Sequence, residues 1–227
     1  MSHAHHCVQI VPIFNHLDED SQSLIASKAQ HQHFTKGEYI YYAGDVSDAL
    51  YIIHQGMVRV FHMAEDGKEQ LTRILMPGDY LGEWTLFHPE EVHSNYAQAL
   101  ETSQICMIHR HDFQAILDQY PQIARKLLSS LSYRLQEADQ HTAQLSTQST
   151  TSRLALFLAN QTVVQRSVQG SLIHLHLSKK DIASYLGMSP ETLSRALKRL
   201  EESGYIHVTS SKEILIPDID RLLLVTD

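Results

Sequence analysis

The sequence predicts an α+β chain: a roll of short antiparallel strands, then one long helix, then a small helical domain closed by a β-hairpin. Three observations predict it. Turn residues recur at close spacing between Lys36 and Leu100, separated by runs rich in Tyr, Ile and Val. A thin apolar stripe steps by three or four residues from Ile123 to Leu145. Leu177 to Tyr205 holds two short helix patterns joined by a tight turn.

Residues 1–16 contain the cluster His3, His5, His6 and Cys7, and residues 17–33 read as a short helix. Asp18 or Asp20 could cap that helix, with Leu24, Ile25 and Ala29 as its apolar positions. At Phe34 the period changes. Lys36-Gly37-Glu38 is a turn, Tyr39 to Tyr42 a β-rich run, and Ala43-Gly44-Asp45 breaks it. Strands are expected at Leu50–Ile53, Met57–Met63, Leu71–Leu75, Tyr96–Leu100 and Ser103–Ile108. Glu65-Asp66-Gly67-Lys68 is a hairpin signal, and Pro77-Gly78-Asp79 turns again. So many short strands suit a small roll or barrel.

Asp112 to about Gln148 reads as one helical pattern with Ile123, Leu127, Leu131, Leu135, Ala138, Thr142 and Leu145 on its stripe. So thin a stripe fits a coiled-coil seam with a second copy, or packing along its own roll. The Ser/Thr-rich run from Leu145 to Ser152 reads as a hinge, followed by a helix from Arg153 to Gln165. Residues 171–177 form a short strand. Tyr205–Val208 and Glu213–Ile216, joined by Thr209-Ser210-Ser211-Lys212, form a hairpin wing, with Asp218–Val225 as an apolar tail segment. The parts are 1–111, 112–148 and 149–227.

Between hinge and wing, Ser178 can cap a first helix, with Asp181 three residues on as in a capping box. Ile182, Ala183 and Leu186 give it one apolar face, and Gly187 ends it. Ser189 caps the second helix and Pro190 sits at its first position. Leu193, Leu197 and Leu200 face inward; Glu191, Ser194, Arg195 and Lys198 share the opposite face. This is the pattern of a winged helix-turn-helix whose second helix enters the DNA major groove. Arg can grip guanine O6 and N7, Glu can accept from cytosine N4, and Ser can bond either way. An ordinary helical hairpin explains the leucines but not the two caps, the short turn and this polar face together.

The net charge of −8 is unevenly spread. Residues 146–227 carry nine basic and eight acidic residues, whereas residues 1–145 carry nine and eighteen. Basic residues gather at Lys179, Lys180, Arg195, Lys198 and Arg199. An acidic N-terminal part with a local basic patch suits a specific DNA binder and not a general nucleic-acid coat. No apolar run spans a membrane and the start lacks a signal-peptide pattern, so a cytoplasmic location without membrane contact is expected. Two cysteines cannot make a disulfide framework. With no nucleophile motif and no cupin-like histidine set, an enzyme is not expected. The rival is a cyclic-nucleotide-like ligand-binding module without DNA output.

Glu191-Thr192-Leu193-Ser194-Arg195 resembles the recognition helix of the FNR branch of the CRP/FNR family of bacterial transcription regulators. The cyclic-AMP receptor branch has an Arg and a Gly where Pro190 and Ser194 stand. Lys36-Gly37-Glu38, Gly44-Asp45, Gly56, Pro77-Gly78-Asp79 and Gly82-Glu83 resemble the turn framework of the cyclic-nucleotide-binding β-roll, and Tyr96 to Ser103 resembles the FNR branch. The resemblance therefore covers nearly the whole chain. It implies a sensory roll, a central dimerisation helix with Leu127, Leu131, Leu135, Ala138 and Leu145 at the seam, and a winged helix reading double-stranded DNA as a homodimer, with RNA polymerase as a further partner. It implies a palindrome with TGA cores, Arg195 on guanine, Glu191 on the complementary strand and Ser194 on the flanking thymine, a preference that Pro190 could shift. Thr192, Lys180 and Arg199 are candidates for phosphate contacts.

The resemblance also bears on the signal. The Arg–Ser pair that completes the cyclic-AMP phosphate pocket is here His93-Ser94, which argues against cyclic AMP. Iron–sulfur clusters are normally held by four thiolates, and only Cys7 and Cys106 are present, which argues against a cluster. Those two cysteines match cluster-ligand regions that the family fold brings together, which implies a reversible Cys7–Cys106 disulfide. Two unrelated thiols, with Cys106 buried in its strand, is the competing reading. Control by a metal such as zinc, through His3, His5, His6 and Cys7, or by haem or another small effector, stays open; no cofactor is required.

Overall fold

A computed structural model describes residues 3–46, 48–88, 91–161 and 163–225, without the side chains of residues 3–6 and of Thr85. The chain forms two compact units, residues 1–135 and 136–227.

In the first unit, α1 (His3–Ile10) and α2 (Glu19–Lys28) precede the strands β1 (Gln30–Phe34), β2 (Tyr39–Tyr41), β3 (Ala49–Gln55), β4 (Val58–Met63), β5 (Glu69–Leu75) and β6 (Tyr80–Leu81). Helix α3 (Glu83–Phe87), β7 (Tyr96–Ala99), β8 (Ser103–His109) and α4 (Arg110–Gln119) follow, and α5 (Pro121–Thr147) leads into the second unit. The strands make two antiparallel sheets, ordered β1-β8-β3-β6 and β2-β7-β4-β5. The Glu65–Lys68 turn joins β4 to β5, which pair from Val58↔Leu75 to Met63↔Glu69.

Strand β3 explains how two cores share one sheet. Ala49, Tyr51 and Ile53 belong to the core between the sheets. Leu50 and Ile52 alternate to the other face, where α1, the α1–α2 connection, α2, α4 and the start of α5 cover them with Val8, Phe14, Ile25, Phe113 and Ile123. A strand segment buried on both faces has to be apolar, and Ala49 to Ile53 is. In β8, Ile105 and Met107 face the first core while Cys106 and Ile108 face the second.

Three expectations change here, and one element, α1, was not anticipated. The N-terminal segment is helical: α1 packs Val8 into the core, and Val11 just beyond it joins the same core. The helix expected over 17–33 stops at Lys28, capped by Asp18, and Gln30–Phe34 is a strand. Its polar sequence suits a sheet edge, where only one side pairs. The pattern from Asp112 is two helices, because Pro121 cannot continue α4 and biases Tyr120 out of the helical region. The apolar stripe of α5 does not stay on one side. Four residues over-rotate a 3.6-residue turn by about 40°, so Ile123 and Leu127 are buried in their own unit while Leu135 is 64% exposed. Leu127 therefore belongs to its own roll, with Leu131 half-buried beside it. Leu128 is 64% exposed and is the leucine that the stripe overlooked.

In the second unit, α6 (Thr150–Ala159) is followed by β9 (Val163–Ser167), β10 (Gly170–His174), α7 (Lys179–Tyr185) and α8 (Pro190–Glu202). The wing β11 (His207–Val208) and β12 (Glu213–Ile216) and the short α9 (Ile219–Leu223) complete it. Its sheet runs β11-β12-β10-β9. The helix expected to reach Gln165 stops at Ala159, because the β-branched Val163 opens a strand and pairs with Ile173 of β10 instead. Leu154, Leu158, Ile182, Leu193, Leu200, Ile214 and Leu222 build one core from every helix and the wing.

Candidate DNA-reading face and cysteine site

Both caps of the two-helix motif form. Ser178 accepts from the Asp181 backbone N–H at 3.1 Å and donates to the Asp181 carboxylate at 2.5 Å. Ser189 accepts from the Thr192 N–H at 3.2 Å. Gly187 takes the left-handed conformation that the turn needs (φ 61°). Leu193, Ala196, Leu197 and Leu200 are buried, which turns Pro190, Glu191, Ser194, Arg195, Lys198 and Arg199 to solvent. Lys180 at the start of α7 is exposed, and Thr192 is half-buried.

The polar face is internally ordered. Arg195 Nη2 donates to Thr192 Oγ1 at 3.1 Å, and Ser189 Oγ lies 3.2 Å from the same oxygen. Ser194 donates to the Pro190 carbonyl at 2.9 Å. Hydrogen bonding from Ser189 holds the Glu191 carboxyl below its usual range, with a smaller contribution from Arg195. The Val208 N–H donates to Glu201 Oε1 at 2.9 Å, tying the wing to α8. Between them lies a cleft of about 200 Å³, whose lining includes Lys179, Ser194, Lys198, Ser210 and Ser211.

Two residues of α5 brace the motif: His141, which no sequence signal singled out, and Leu145, which was expected at the seam. His141 of α5 stacks on Tyr185 at 4.5 Å, and its Nε2 lies 3.1 Å from the Tyr185 carbonyl. Burial lowers its pKa. Leu145 is half-buried, with Cδ2 3.0 Å from where a Cβ on Gly187 would stand, so its side chain already packs at the turn of its own unit. Ala138 is exposed.

In the first unit, Cys7 of α1 and Cys106 of β8 are joined as a disulfide, with Cα atoms 6.6 Å apart and both residues fully buried. Beside them, His31 Nδ1 lies 3.5 Å from Cys106 Sγ. His31 stands opposite Cys106 in the β1–β8 register, yet it is exposed. No local sequence signal singles out His31. The side chains of His3, His5 and His6 lie outside the described residues. A single chain with two cysteines does not supply the thiolates of a four-cysteine cluster.

The roll's Gly82-Glu83 turn opens on a charged cluster. Glu83 Oε1 accepts from Arg73 Nη1 at 3.3 Å and from Arg134 Nη2 of α5. Tyr80 donates to Ser130 at 2.8 Å and Arg134 lies over the Tyr80 ring, so α5 is held here by three contacts. His93 is buried and stacks flat on Tyr41 at 3.5 Å. Burial pushes its pKa down to about 4, against opposing pulls from Asp45 and Glu83. At neutral pH it offers no positive charge to a phosphate.

Comparison with known proteins places these features. The family model of the cyclic nucleotide-binding domain matches residues 31–120, and that of the Crp-like helix-turn-helix domain matches residues 152–224. The chain is 30% identical to the probable transcriptional regulator flp of Lacticaseibacillus casei, over 94% of each chain. It is 32% identical to the cyclic AMP receptor protein of Thermus thermophilus, over 87% of this chain and 88% of that one. In structure it resembles FixK2 from Bradyrhizobium japonicum, with a TM-score of 0.75 at 25% identity, covering 88% of this chain and 98% of the other.

Proposed function

The chain belongs to the CRP/FNR family of transcription regulators, and we propose that it reads a palindromic DNA site as a homodimer under the control of its Cys7–Cys106 pair. The observation that carries the DNA reading is the face of α8. Glu191, Ser194 and Arg195 are exposed together while the leucines behind them are buried. In a two-fold dimer the two α8 helices enter successive major grooves about 34–36 Å apart. Each half-site carries TGA, with guanine taken by Arg195, the complementary strand by Glu191 and the flanking thymine by Ser194. Thr192, Lys180 and Arg199 hold phosphates, and RNA polymerase is the partner at the promoter. Leu128, Leu131, Leu135 and Ala138 supply the seam, since Leu127 is spent on its own core.

The output does not depend on cyclic AMP. His93 is uncharged where a phosphate would need a cation, and Glu83 is already paired with two arginines. The pair Cys7–Cys106 is the switch instead. A hydroperoxide takes two electrons and two protons from the two thiols and leaves as water and an alcohol, and the disulfide pins α1 to β8. The test is fluorescence anisotropy with a TGA palindrome and a scrambled duplex, on reduced and oxidised protein. The reading predicts specific binding that differs between the two redox forms and disappears from that dependence in Cys7→Ser. Equal binding to both duplexes would sink the DNA assignment, and equal binding by both redox forms would sink the switch.

A further inference from the structure

Three soft or borderline donor atoms from three elements converge beside α1. Cys7 comes from the helix, Cys106 from the inner strand β8 and His31 from the edge strand β1. One ligand atom of each lies within 4.8 Å of the other two. The ladder fixes two of the donors, because His31 and Cys106 are direct register partners. Helix α1 brings the third. Neither DNA reading nor disulfide formation calls for an imidazole at this place.

We propose that the reduced chain binds one thiophilic d10 cation, Zn²⁺ or Cu⁺, through Cys7 Sγ, Cys106 Sγ and a ring nitrogen of His31. Two thiolates and an imidazole are the donor types these ions take. The distances suit them. Ligands about 2.0–2.3 Å from a tetrahedral ion stand roughly 3.5 Å from one another, and Cys106 Sγ lies 3.5 Å from His31 Nδ1. On reduction the two sulfurs need only part from a bonded separation of about 2.05 Å to one of the same size. Two thiolates neutralise Zn²⁺, so with that ion the site carries no net charge although both cysteines are buried, whereas with Cu⁺ it carries one negative charge. Exposed His31 gives the ion its way in, and three protein ligands leave a fourth position for water.

Loading Zn²⁺ converts two thiols to two thiolate ligands and releases two protons. The disulfide has no thiolate to offer, so metal and disulfide exclude each other. A hydroperoxide meeting the loaded site takes two electrons from the two thiolates. With two protons it leaves as an alcohol and water, the S–S bond forms, and the ion departs. The site rests on the same juxtaposition of cysteines as the proposed switch, but not on DNA binding.

The test uses the full chain without an affinity tag. Reduced protein, stripped by a chelator under anaerobic conditions, is titrated with Zn²⁺ against a colorimetric competitor, with Cu⁺ in a parallel arm and Co²⁺ as an optical probe. The expected result is one ion per reduced chain, a sulfur-to-cobalt charge-transfer band, and no binding by the disulfide form. His31→Ala should weaken binding at least about tenfold with an unchanged melting temperature. The triple variant His3→Ala, His5→Ala, His6→Ala should bind as the parent does. Binding that survives His31→Ala, that is lost only in the triple variant, or that persists in the disulfide form would overturn the site. Anisotropy on the same samples separates the two ideas. Redox-dependent DNA binding without metal uptake overturns the site and leaves the switch standing. Metal uptake without redox-dependent DNA binding does the reverse.

Discussion

Arg195 donates to the hydroxyl of Thr192 at 3.1 Å, one turn earlier on the exposed face of α8. The guanidinium proposed to read guanine is thus partly positioned before DNA arrives, and Ser189 Oγ supports the same hydroxyl at 3.2 Å. Arg195→Ala should cost about 1–3 kcal/mol per half-site and relax the guanine preference. Thr192→Val keeps the shape and removes the acceptor, so it should weaken binding to the TGA site less, while leaving Arg195 in place. Anisotropy titrations with duplexes altered one base at a time would check both. An Arg195→Ala protein with an unchanged guanine preference would count against the assignment.

The cap at Ser178 supports a second prediction. Its hydroxyl accepts from the Asp181 N–H and donates to the Asp181 side chain, so its loss leaves a helix start open. Ser178→Ala should destabilise the second unit by about 0.5–2 kcal/mol. Denaturant titration should show it as a lower midpoint with an unchanged slope. DNA specificity should be retained where the protein is folded, because Ser178 is not on the α8 face.

The two-helix motif was legible because each of its features has a local cause: a cap, a left-handed glycine, a leucine period. The hairpin at Glu65–Lys68 was legible for the same reason. What escaped depends on partners distant in sequence. Gln30–Phe34 carries no apolar alternation and becomes a strand only because β8 offers it an edge. Val163 is withdrawn from the α6 pattern because it pairs with β10. The period of α5 was visible, but which leucine faces which surface depends on where the roll stops covering the helix. His31 is polar, exposed and unremarkable until the register sets it opposite Cys106.

His93 supports a prediction about pH. Burial lowers its folded pKa to about 4 from an ordinary value of 6.5. The unfolded chain therefore binds more protons in that interval, and stability rises with pH. The contribution is complete above about 6.5 and is lost as pH falls toward 4. His93→Phe keeps a ring to stack on Tyr41 and cannot titrate. Thermal melts across pH 4–7 should show a shallower decline for the variant than for the parent. Parallel declines would show that the acid sensitivity lies elsewhere.

Leu127 and Leu128 are neighbours with opposite duties. Leu127 is 3% exposed in the core of its own unit, whereas Leu128 is 64% exposed on α5. Seven residues bring a helix back to within about 20°, so Leu128 and Leu135 share a face, and Leu135 is also 64% exposed. Leu127→Ala should cost about 2–5 kcal/mol of stability through a cavity in the roll. Its effect on self-association should be only what unfolding brings. Leu128→Glu with Leu135→Glu should leave the roll's core intact and place like charges across the proposed two-fold seam. Sedimentation should then find monomers where the parent gives dimers, and affinity for a full palindrome should fall toward that for a half-site. A doubly charged variant that stays dimeric would move the interface to another surface, and with it the geometry by which two copies of α8 reach one site.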